Sequence, residues 1–294
     1  MIVLQQFNIK MINFIDLNDK KYPKNLANIT NPPTKLYYKG VWDQTLFDDC
    51  LAVVGSRSGT EYGKRITKKL VSEVVSRGIT IVSGFMYGID SIAHQSSVDS
   101  GGRTIAVLPY GIESSSPSYQ AKLYRQILDT GGLIISEYSG NMAPQKWTFV
   151  ERNRIVAGLS KAVLVVEGAR TSGTMVTADL AQKFGKKLFA VSGHLDSIVS
   201  EGVNDLIKQQ KAEMVTSYKD ILGVFDQKVS KKTNKRYKLT KEESQIIKIL
   251  KEQPLSADEV VVKTKYPQTQ VSIVLTTMAL AGYICEEGGK FYVS

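Results

Sequence analysis

Cysteine and histidine are scarce in this sequence. The two cysteines, Cys50 and Cys285, lie far apart, and the only histidines are His94 and His194. A disulfide framework needs several cysteines at matched spacings, and a zinc site needs closely spaced Cys and His ligands. We therefore expect two small buried thiols, no structural metal and no cofactor.

Long hydrophobic runs are also missing. No stretch approaches the ~18 apolar residues that a membrane-spanning helix needs. The first residues, MIVLQQFNIKMINF, are apolar in places but have neither a basic leader nor a small-residue cleavage site. These absences predict a cytoplasmic protein that makes no use of a membrane.

Acidic side chains are fewer than basic ones. The 294 residues include 38 Lys and Arg against 28 Asp and Glu, which gives a net charge of +10 and a pI near 9.3. Such an excess favours polyanionic partners such as nucleic acid, through phosphate contacts and counterion release. Many soluble proteins are basic for other reasons, so charge alone does not decide the function.

The main part of the chain alternates short apolar runs with helix-length amphipathic stretches. Several of the runs are unbroken Val, Ile and Leu, which is typical of strands buried on both faces of a sheet. This alternation predicts an α/β fold with an extended Rossmann-like parallel sheet. The predicted strands are Leu51–Val54, Thr80–Val82, Thr104–Leu108, Leu133–Ile135, Ala162–Val166, Leu188–Ala190 and Glu213–Val215.

Changes in composition divide the chain into four predicted segments. Residues 1–45 contain Pro23, Pro32 and Pro33, which exclude a long helix, so an extended N-terminal lead-in is expected. Residues 46–226 form the Rossmann-like domain. Residues 227–238 form a basic linker, because KVSKKTNKRYKLTK holds seven Lys and Arg and no acid; it is a spacer or a weak DNA tether.

The last segment, residues 239–294, has the pattern of three helices followed by a hairpin, which predicts a small C-terminal winged-helix domain. Ser256 with Glu259 three residues later forms a capping box, and Gly288-Gly289 predicts the hairpin turn. Winged helices either bind DNA or dock proteins. No Lys or Arg lies between Pro267 and Gly282, so we do not expect the third helix to read bases.

Three loops rich in small residues follow three of the predicted strands. The carboxyl ends of parallel strands meet at one edge of the sheet, where open α/β sheets bind ligands. Helix-start amides and the Arg57 guanidinium suit phosphate. Each loop alone could be a tight turn, but their convergence favours a binding site made of Gly55, Ser56, Arg57, Gly84, Ser172, Gly173 and Thr174.

A fourth stretch, KWTFVERNR, mixes basic and aromatic residues. Lys146, Arg152 and Arg154 suit phosphates, while Trp147 and Phe149 suit unstacked bases, a combination used by single-strand binders. The alternative is that the aromatic rings belong to the core and the arginines pair locally.

Two further residues are candidates for acid–base chemistry. His94 has no serine or cysteine motif beside it and is interpreted as a helix-packing histidine, and Asp90 as a brace of its loop. We therefore expect no catalytic residue.

In these loops and in several longer stretches, the sequence resembles the DNA-processing protein A family, also called DprA or Smf. The resemblance covers about Tyr22 to Ala212 and is carried by several motifs in order. They are YPKNLANITNPPTKLYYKG, VVGSRSGTEYG, VSGFMYGIDSIAHQ, GGRTIAVLPYGIESSSPS, GGLIISEY, FVERNRIVAGLS, SGTMVTADLAQKFGKKLFAVSG and EGVNDLI.

The resemblance implies a non-enzymatic protein that binds single-stranded DNA in a basic pocket and forms a homodimer. It implies protection of DNA and loading of the RecA recombinase in natural transformation or recombination. Gly84 and Gly173 would admit the DNA backbone. The residues implied to line the DNA site are Ser56, Arg57, Lys146, Phe149, Arg152, Asn153 and Arg154.

The sequence departs from the usual family pattern at four positions. Tyr87 stands where a basic residue is usual, Val150 where Pro is usual, Ser192 where Pro-Gly is common, and Lys211 where Gly is customary.

Two other function classes remain open. One is a nucleotide-processing enzyme of the phosphoribohydrolase type, whose loop carries a Gly-Gly-x-Gly-Thr-x-x-Glu motif. Here Gly173-Thr174 is present, but Thr177 stands where that glutamate would act as the acid–base group. The other is a nucleotide-sensing module.

Overall fold

Residues 13–114, 118–225 and 239–293 are described by the computed structural model of the chain. They fall into two compact units, within residues 1–232 and 233–294. The predicted basic linker, residues 227–238, lies outside the described residues, as do the first residues of the lead-in.

The first unit is built on a nine-stranded sheet with the order β1-β2-β6-β5-β4-β3-β7-β8-β9. Strands β3 to β9 pair in parallel. All seven predicted strands are present, with ends that differ by one residue at most. The strands are β1 Phe14–Asp16, β2 Lys35–Gly40, β3 Cys50–Val54, β4 Thr80–Ser83, β5 Thr104–Leu108, β6 Leu133–Ser136, β7 Ala162–Val165, β8 Lys187–Ala190 and β9 Glu213–Met214.

The lead-in contributes two strands that the sequence did not predict. β2 pairs antiparallel with β6, with Tyr37 opposite Ser136, and β1 pairs antiparallel with β2. The predicted parallel sheet is therefore a mixed sheet, because its edge beyond β6 is closed by a hairpin from the start of the chain.

Helices cover both faces of the sheet. In β3, Ala52 and Val54 join one hydrophobic cluster, whereas Leu51 and Val53 join another, as expected when successive side chains point to opposite faces. The helices are α1 Lys24–Ala27, α2 Glu61–Val75, α3 Ile89–Asp99, α4 Ala121–Asp129, α5 Lys146–Leu159, α6 Gly173–Lys183, α7 Ile198–Lys208 and α8 Tyr218–Leu222, with 3-10 turns at Gln44–Phe47 and Ser118–Gln120.

The second unit has the predicted three helices and hairpin. They are α9 Lys241–Glu252, α10 Ala257–Thr264, α11 Gln268–Leu280, β10 Ile284–Glu287 and β11 Lys290–Val293. The capping box of Ser256 and Glu259 is present, and the hairpin turns at Gly288 and Gly289, both at positive φ. Its core includes Ile246, Val260, Val271, Leu275 and Met278. The predicted fold class, an α/β sheet domain with a small winged-helix domain, is confirmed.

Within the described part of the chain, no helix combines the length and the apolar character needed to cross a membrane.

Candidate nucleic-acid interface

The order of the strands creates a crevice beside β3. After β3, the chain adds β4, β5 and β6 in turn on one side of β3. It then returns through α5 and adds β7 on the other side of β3. The loops after β3 and β7 therefore leave the carboxyl edge of the sheet in opposite directions. Such a topological switch point is where open α/β sheets bind ligands.

A cleft of about 500 Å³ lies at this point. The three loops and one face of α5 line it, so the structure brings together residues that are far apart in sequence. Of the predicted site residues, the cleft is lined by Gly55, Ser56, Arg57, Gly84, Lys146, Phe149, Arg152, Asn153, Ser172, Gly173 and Thr174.

Arg57 is an exposed side chain of the loop after β3, and it contacts two aromatic rings. Its guanidinium carbon lies 5.2 Å from the centre of the Phe149 ring and 5.9 Å from that of Tyr87. These distances are those of cation–π contacts. Arg57 is thus held over the mouth of the cleft while its charge stays free of carboxylates among the described residues.

At the start of α2, whose amides the sequence predicts to suit phosphate, protein groups already accept from two backbone N–H groups. Thr60 caps the helix by accepting a hydrogen bond from the Gly63 N–H at 3.1 Å. The buried Glu167 carboxylate, at the end of β7, accepts hydrogen bonds from the Thr60 N–H at 2.9 Å and the Thr60 hydroxyl at 2.5 Å. The carboxylate therefore fastens the β3 loop to the β7 loop across the switch point.

Gly55 has a packing role in the same loop. A Cβ atom there would lie 2.6 Å from Cγ1 of Ile89 in α3, so the missing side chain lets α3 approach β3. Gly55, which the sequence predicts as part of the binding site, thus lines the cleft and also lets α3 pack closely.

The second loop lies over a buried arginine. A Cβ on Gly84 would collide with the guanidinium of Arg152, which is 4% exposed and donates to the Val107 carbonyl at 2.8 Å. Burial lowers the pKa of Arg152 to about 10, and the carboxylate of Asp90 counteracts part of that shift. Arg152 thus remains a cation at neutral pH under the floor of the cleft, and its Nε has no partner among the described residues.

Asp90 lies beside this arginine at the start of α3. Burial raises the pKa of its carboxyl group, and the Arg152 charge together with the nearby polar groups of Ser83, Met86 and Gly84 opposes that rise. Asp90 is 8% exposed and lies against its own loop beside a cation, which agrees with its interpretation as a brace.

The third loop leads into a helix start that faces the cleft. Ser172 is the N-cap of α6 but its side chain makes no capping bond, and its Oγ is buried without a partner among the described residues. A Cβ on Gly173 would meet nothing within 4 Å. Because the first N–H groups of a helix have no intrahelical acceptor, this end offers free donors to an anion.

Helix α5 supplies the wall opposite the loops. Lys146 is its first residue and is exposed, Phe149 is half-buried, and Asn153 donates to the Gly173 carbonyl at 3.2 Å. Trp147 is 55% exposed and lies edge-on to Tyr138, with ring centres 5.9 Å apart, so the core alternative for Trp147 is wrong.

Arg154 does not line the cleft, and this corrects the prediction that it does. Its guanidinium forms an ion pair with Glu137 at 2.5 Å, and its Nε lies 3.6 Å from Glu151. Arg154 is 8% exposed and follows Arg152 by two residues, which places the two side chains on different sides of α5.

The two histidines have different surroundings. His94 is fully buried in α3, and its Nδ1 lies 2.7 Å from the hydroxyl of Thr104. That hydroxyl donates to the Ile81 carbonyl, so the Nδ1–H of His94 is the donor to it. Burial lowers the pKa of His94 to about 3. His94 is thus a neutral packing residue, whereas His194 is exposed beside Tyr62.

Sequence reasoning missed several residues of the site. Glu167 was not singled out, although its position directly after a predicted strand was a signal for it. Met86, Val150 and Val156 also line the cleft. Val150 was noted only as a departure from the family pattern, and nothing local distinguishes these apolar side chains from core residues.

The fold and the cleft define an α/β protein with a polar cleft at the switch point of its sheet and an appended winged helix. Residues 13–226 match the family model of DNA recombination-mediator protein A, and residues 230–290 match the DprA winged helix domain. The chain belongs to this family, known as DprA or Smf.

Two curated relatives share similar levels of sequence identity with this chain. DNA processing protein DprA of Bacillus subtilis is 38% identical over 221 residues, which are 74% of this chain and 73% of that protein. Protein Smf of Escherichia coli is 39% identical over 210 residues, 71% of this chain and 56% of that protein. The chain thus spans little more than half the length of the Escherichia coli relative.

Two solved structures are similar over most of the chain. DprA of Streptococcus pneumoniae has a TM-score of 0.69 and 35% identity, covering 74% of this chain and 75% of that one. DprA of Helicobacter pylori has a TM-score of 0.64 and 32% identity, covering 72% and 95%. The latter structure concerns the unique single-stranded DNA binding mode of the Helicobacter pylori protein.

Proposed function

We propose that this chain binds single-stranded DNA in the cleft at the switch point, protects it, and helps to load a RecA recombinase onto it. The observation that carries the proposal is the Arg57 guanidinium over the Phe149 ring at the cleft mouth. A cation beside an aromatic face serves both a phosphate and an unstacked base. The single-strand binding mode of the Helicobacter pylori relative supports the same ligand.

The remaining cleft residues suit the DNA backbone. Lys146 offers a point charge at the rim, and the free N–H groups at the start of α6 offer neutral donors on the far side. Contacts of these kinds carry no sequence information. We therefore expect binding that depends little on sequence and steeply on salt.

The main sheet domain, proposed as residues 46–226, would hold the DNA by itself. Among the described residues, α11 has no basic side chain with which to contact phosphate or guanine. Deleting the winged helix and measuring DNA binding tests whether the sheet domain is sufficient, and we expect binding to persist.

The homodimer and the RecA partner are proposed from the family. A RecA filament assay on single strands, with and without the chain, tests the loading role, and light scattering tests the dimer.

A non-enzymatic role is proposed as well. Asp90 is the one carboxylate among the described residues lining the cleft, and it is 8% exposed beside the Arg152 cation. Thr177, which also lines the cleft, cannot replace the glutamate of a phosphoribohydrolase as an acid–base group. Release of ribose phosphate from nucleoside monophosphates would overturn this part of the proposal.

The central test measures anisotropy of labelled oligothymidine and of a duplex across a salt series. Arg57→Ala and Lys146→Ala should each weaken single-strand binding and flatten the slope of log K against log salt by about 0.7 to 1, because each removes one phosphate contact. Lys183→Ala is the matched control, since this exposed lysine ends α6 away from the cleft. Equal affinity for duplex, or wild-type affinity in both cleft variants, would contradict the proposal.

A further inference from the structure

We propose that a second groove, which runs from the cleft along α3, holds the continuation of the bound single strand. This inference rests on the function proposed above and extends its site. The groove has a volume of about 570 Å³. We call it the α3 groove; its floor is the face of α3 made of Ser91, Ile92, Gln95, Ser96 and Asp99.

The α3 groove is continuous with the cleft. Arg57 and Ser58 line both spaces. A strand whose phosphate contacts Arg57 therefore meets the open end of the groove directly. Tyr87 and Gly88 stand at this end, just before the first turn of α3.

The length of the groove follows from its floor. The floor residues recur every three or four positions, so they form one stripe along the whole of α3. From Ser91 to Asp99 the stripe covers eight steps of 1.5 Å, so it is about 12 Å long. The strand would thus gain several backbone contacts beyond those of the cleft.

The walls of the groove are basic. Lys64 and Lys68 project from successive turns of α2, and Lys122 lies on the side of α4. Lys64 is paired with Glu61 at 2.5 Å. Lys68 and Lys122 are exposed, and neither has a carboxylate partner among the described residues.

One acidic residue limits how far a bound strand can extend along the α3 groove. Asp99 lies at the far end of the stripe, where it accepts a hydrogen bond from Gln95 at 2.7 Å. Its charge opposes a phosphate there, so the contacts along the groove end at the last turn of α3.

Exposed aromatic rings in the α3 groove favour a nucleic-acid ligand over an acidic peptide. Tyr87 is 48% exposed and Tyr119 is 64% exposed, one at the end near the cleft and one in the wall. An acidic peptide would use the lysines but has no bases to stack on these rings. Lysines interleaved with exposed aromatic faces match single-stranded nucleic acid.

The test compares oligothymidines of increasing length, from about 4 to about 16 nucleotides, the range of site sizes of single-strand binding folds. The variant Lys68→Ala/Lys122→Ala should bind the shortest strands like the wild type. On the longest strands its salt slope should fall by about 1.4, at ~0.7 for each lost phosphate contact. Lys183→Ala/Lys219→Ala removes two exposed lysines elsewhere and should change neither.

Stacking is tested at Tyr87 in the same assay. Tyr87→Leu should weaken binding of long strands roughly 5- to 150-fold, which corresponds to about 1–3 kcal/mol for one stacked base, whereas Tyr87→Phe should preserve it. Melting temperatures of all variants identify any that fail to fold, and Lys68→Arg/Lys122→Arg should restore long-strand binding.

The outcomes separate this inference from the function on which it rests. If the wild type binds no single strand, or Arg57→Ala and Lys146→Ala both bind normally, the proposed function fails. If Arg57→Ala loses binding but the lysine variant shows the same length dependence as the wild type, only the α3 groove is refuted. Equal losses on short and long strands in the lysine variant would also overturn it.

Discussion

Removing the hydroxyl of Thr60 should destabilise the fold by about 3 kcal/mol. The variant Thr60→Val keeps the shape of the side chain but loses two bonds at once. The cap on the Gly63 N–H is one, and such caps contribute about 1 kcal/mol. The bond to the buried Glu167 carboxylate is the other, and a bond to a charged group contributes about 1.5–3 kcal/mol.

This loss is large enough to measure by thermal unfolding. For a domain of about 200 residues, each 1 kcal/mol lowers the Tm by roughly 2–4 °C, so Thr60→Val should melt roughly 6–12 °C below the wild type. Thr60→Ser keeps the hydroxyl and serves as the matched control. If Thr60→Val and Thr60→Ser melt within about 1 °C of each other, Thr60 and Glu167 do not fasten the two loops.

Two other variants test the cleft and the core. Phe149→Ala should weaken single-strand binding by roughly 1–3 kcal/mol while leaving the salt slope nearly unchanged, because stacking releases no counterions; a lower Tm with wild-type affinity in the same measurements would instead make Phe149 a core residue. His94→Gln should reduce the acid sensitivity of the fold. The folded state keeps His94 neutral down to a pKa of about 3, so the wild type loses stability as the pH falls below 6.5, at up to about 1.4 kcal/mol per pH unit. Urea unfolding at several pH values should show a shallower dependence in the variant, and parallel curves would refute the assignment.

The strands of the sheet could be predicted because their composition is specific. Runs such as Leu51–Val54 and Ala162–Val165 are long enough and apolar enough to indicate strands covered on both faces. β1 and β2 could not be predicted in the same way. They lie among prolines and polar residues, and β2 owes its place to β6, which follows it by about a hundred residues.

The sequence allowed us to predict which loops form the site. It did not allow us to predict most of the contacts between individual side chains. The loops were placed together because parallel strands share one edge, which requires only the order of the elements. Arg152 and Arg154 could not be told apart, since a motif does not say which side of a helix faces the cleft. The contact of Thr60 with Glu167 spans 107 positions, and no local pattern reports on such a pair.

The pairing of β2 with β6 constrains the order in which the chain can fold. Tyr37 leaves the ribosome long before its partner Ser136. At about 5–20 residues per second, β2 waits roughly 5 to 20 s for the strand it needs. During that interval the apolar side chain of Leu36 has no sheet to cover it, although it is fully buried in the finished fold. This early segment of the domain therefore reaches its final place only after β3, β4, β5 and β6 have been synthesised.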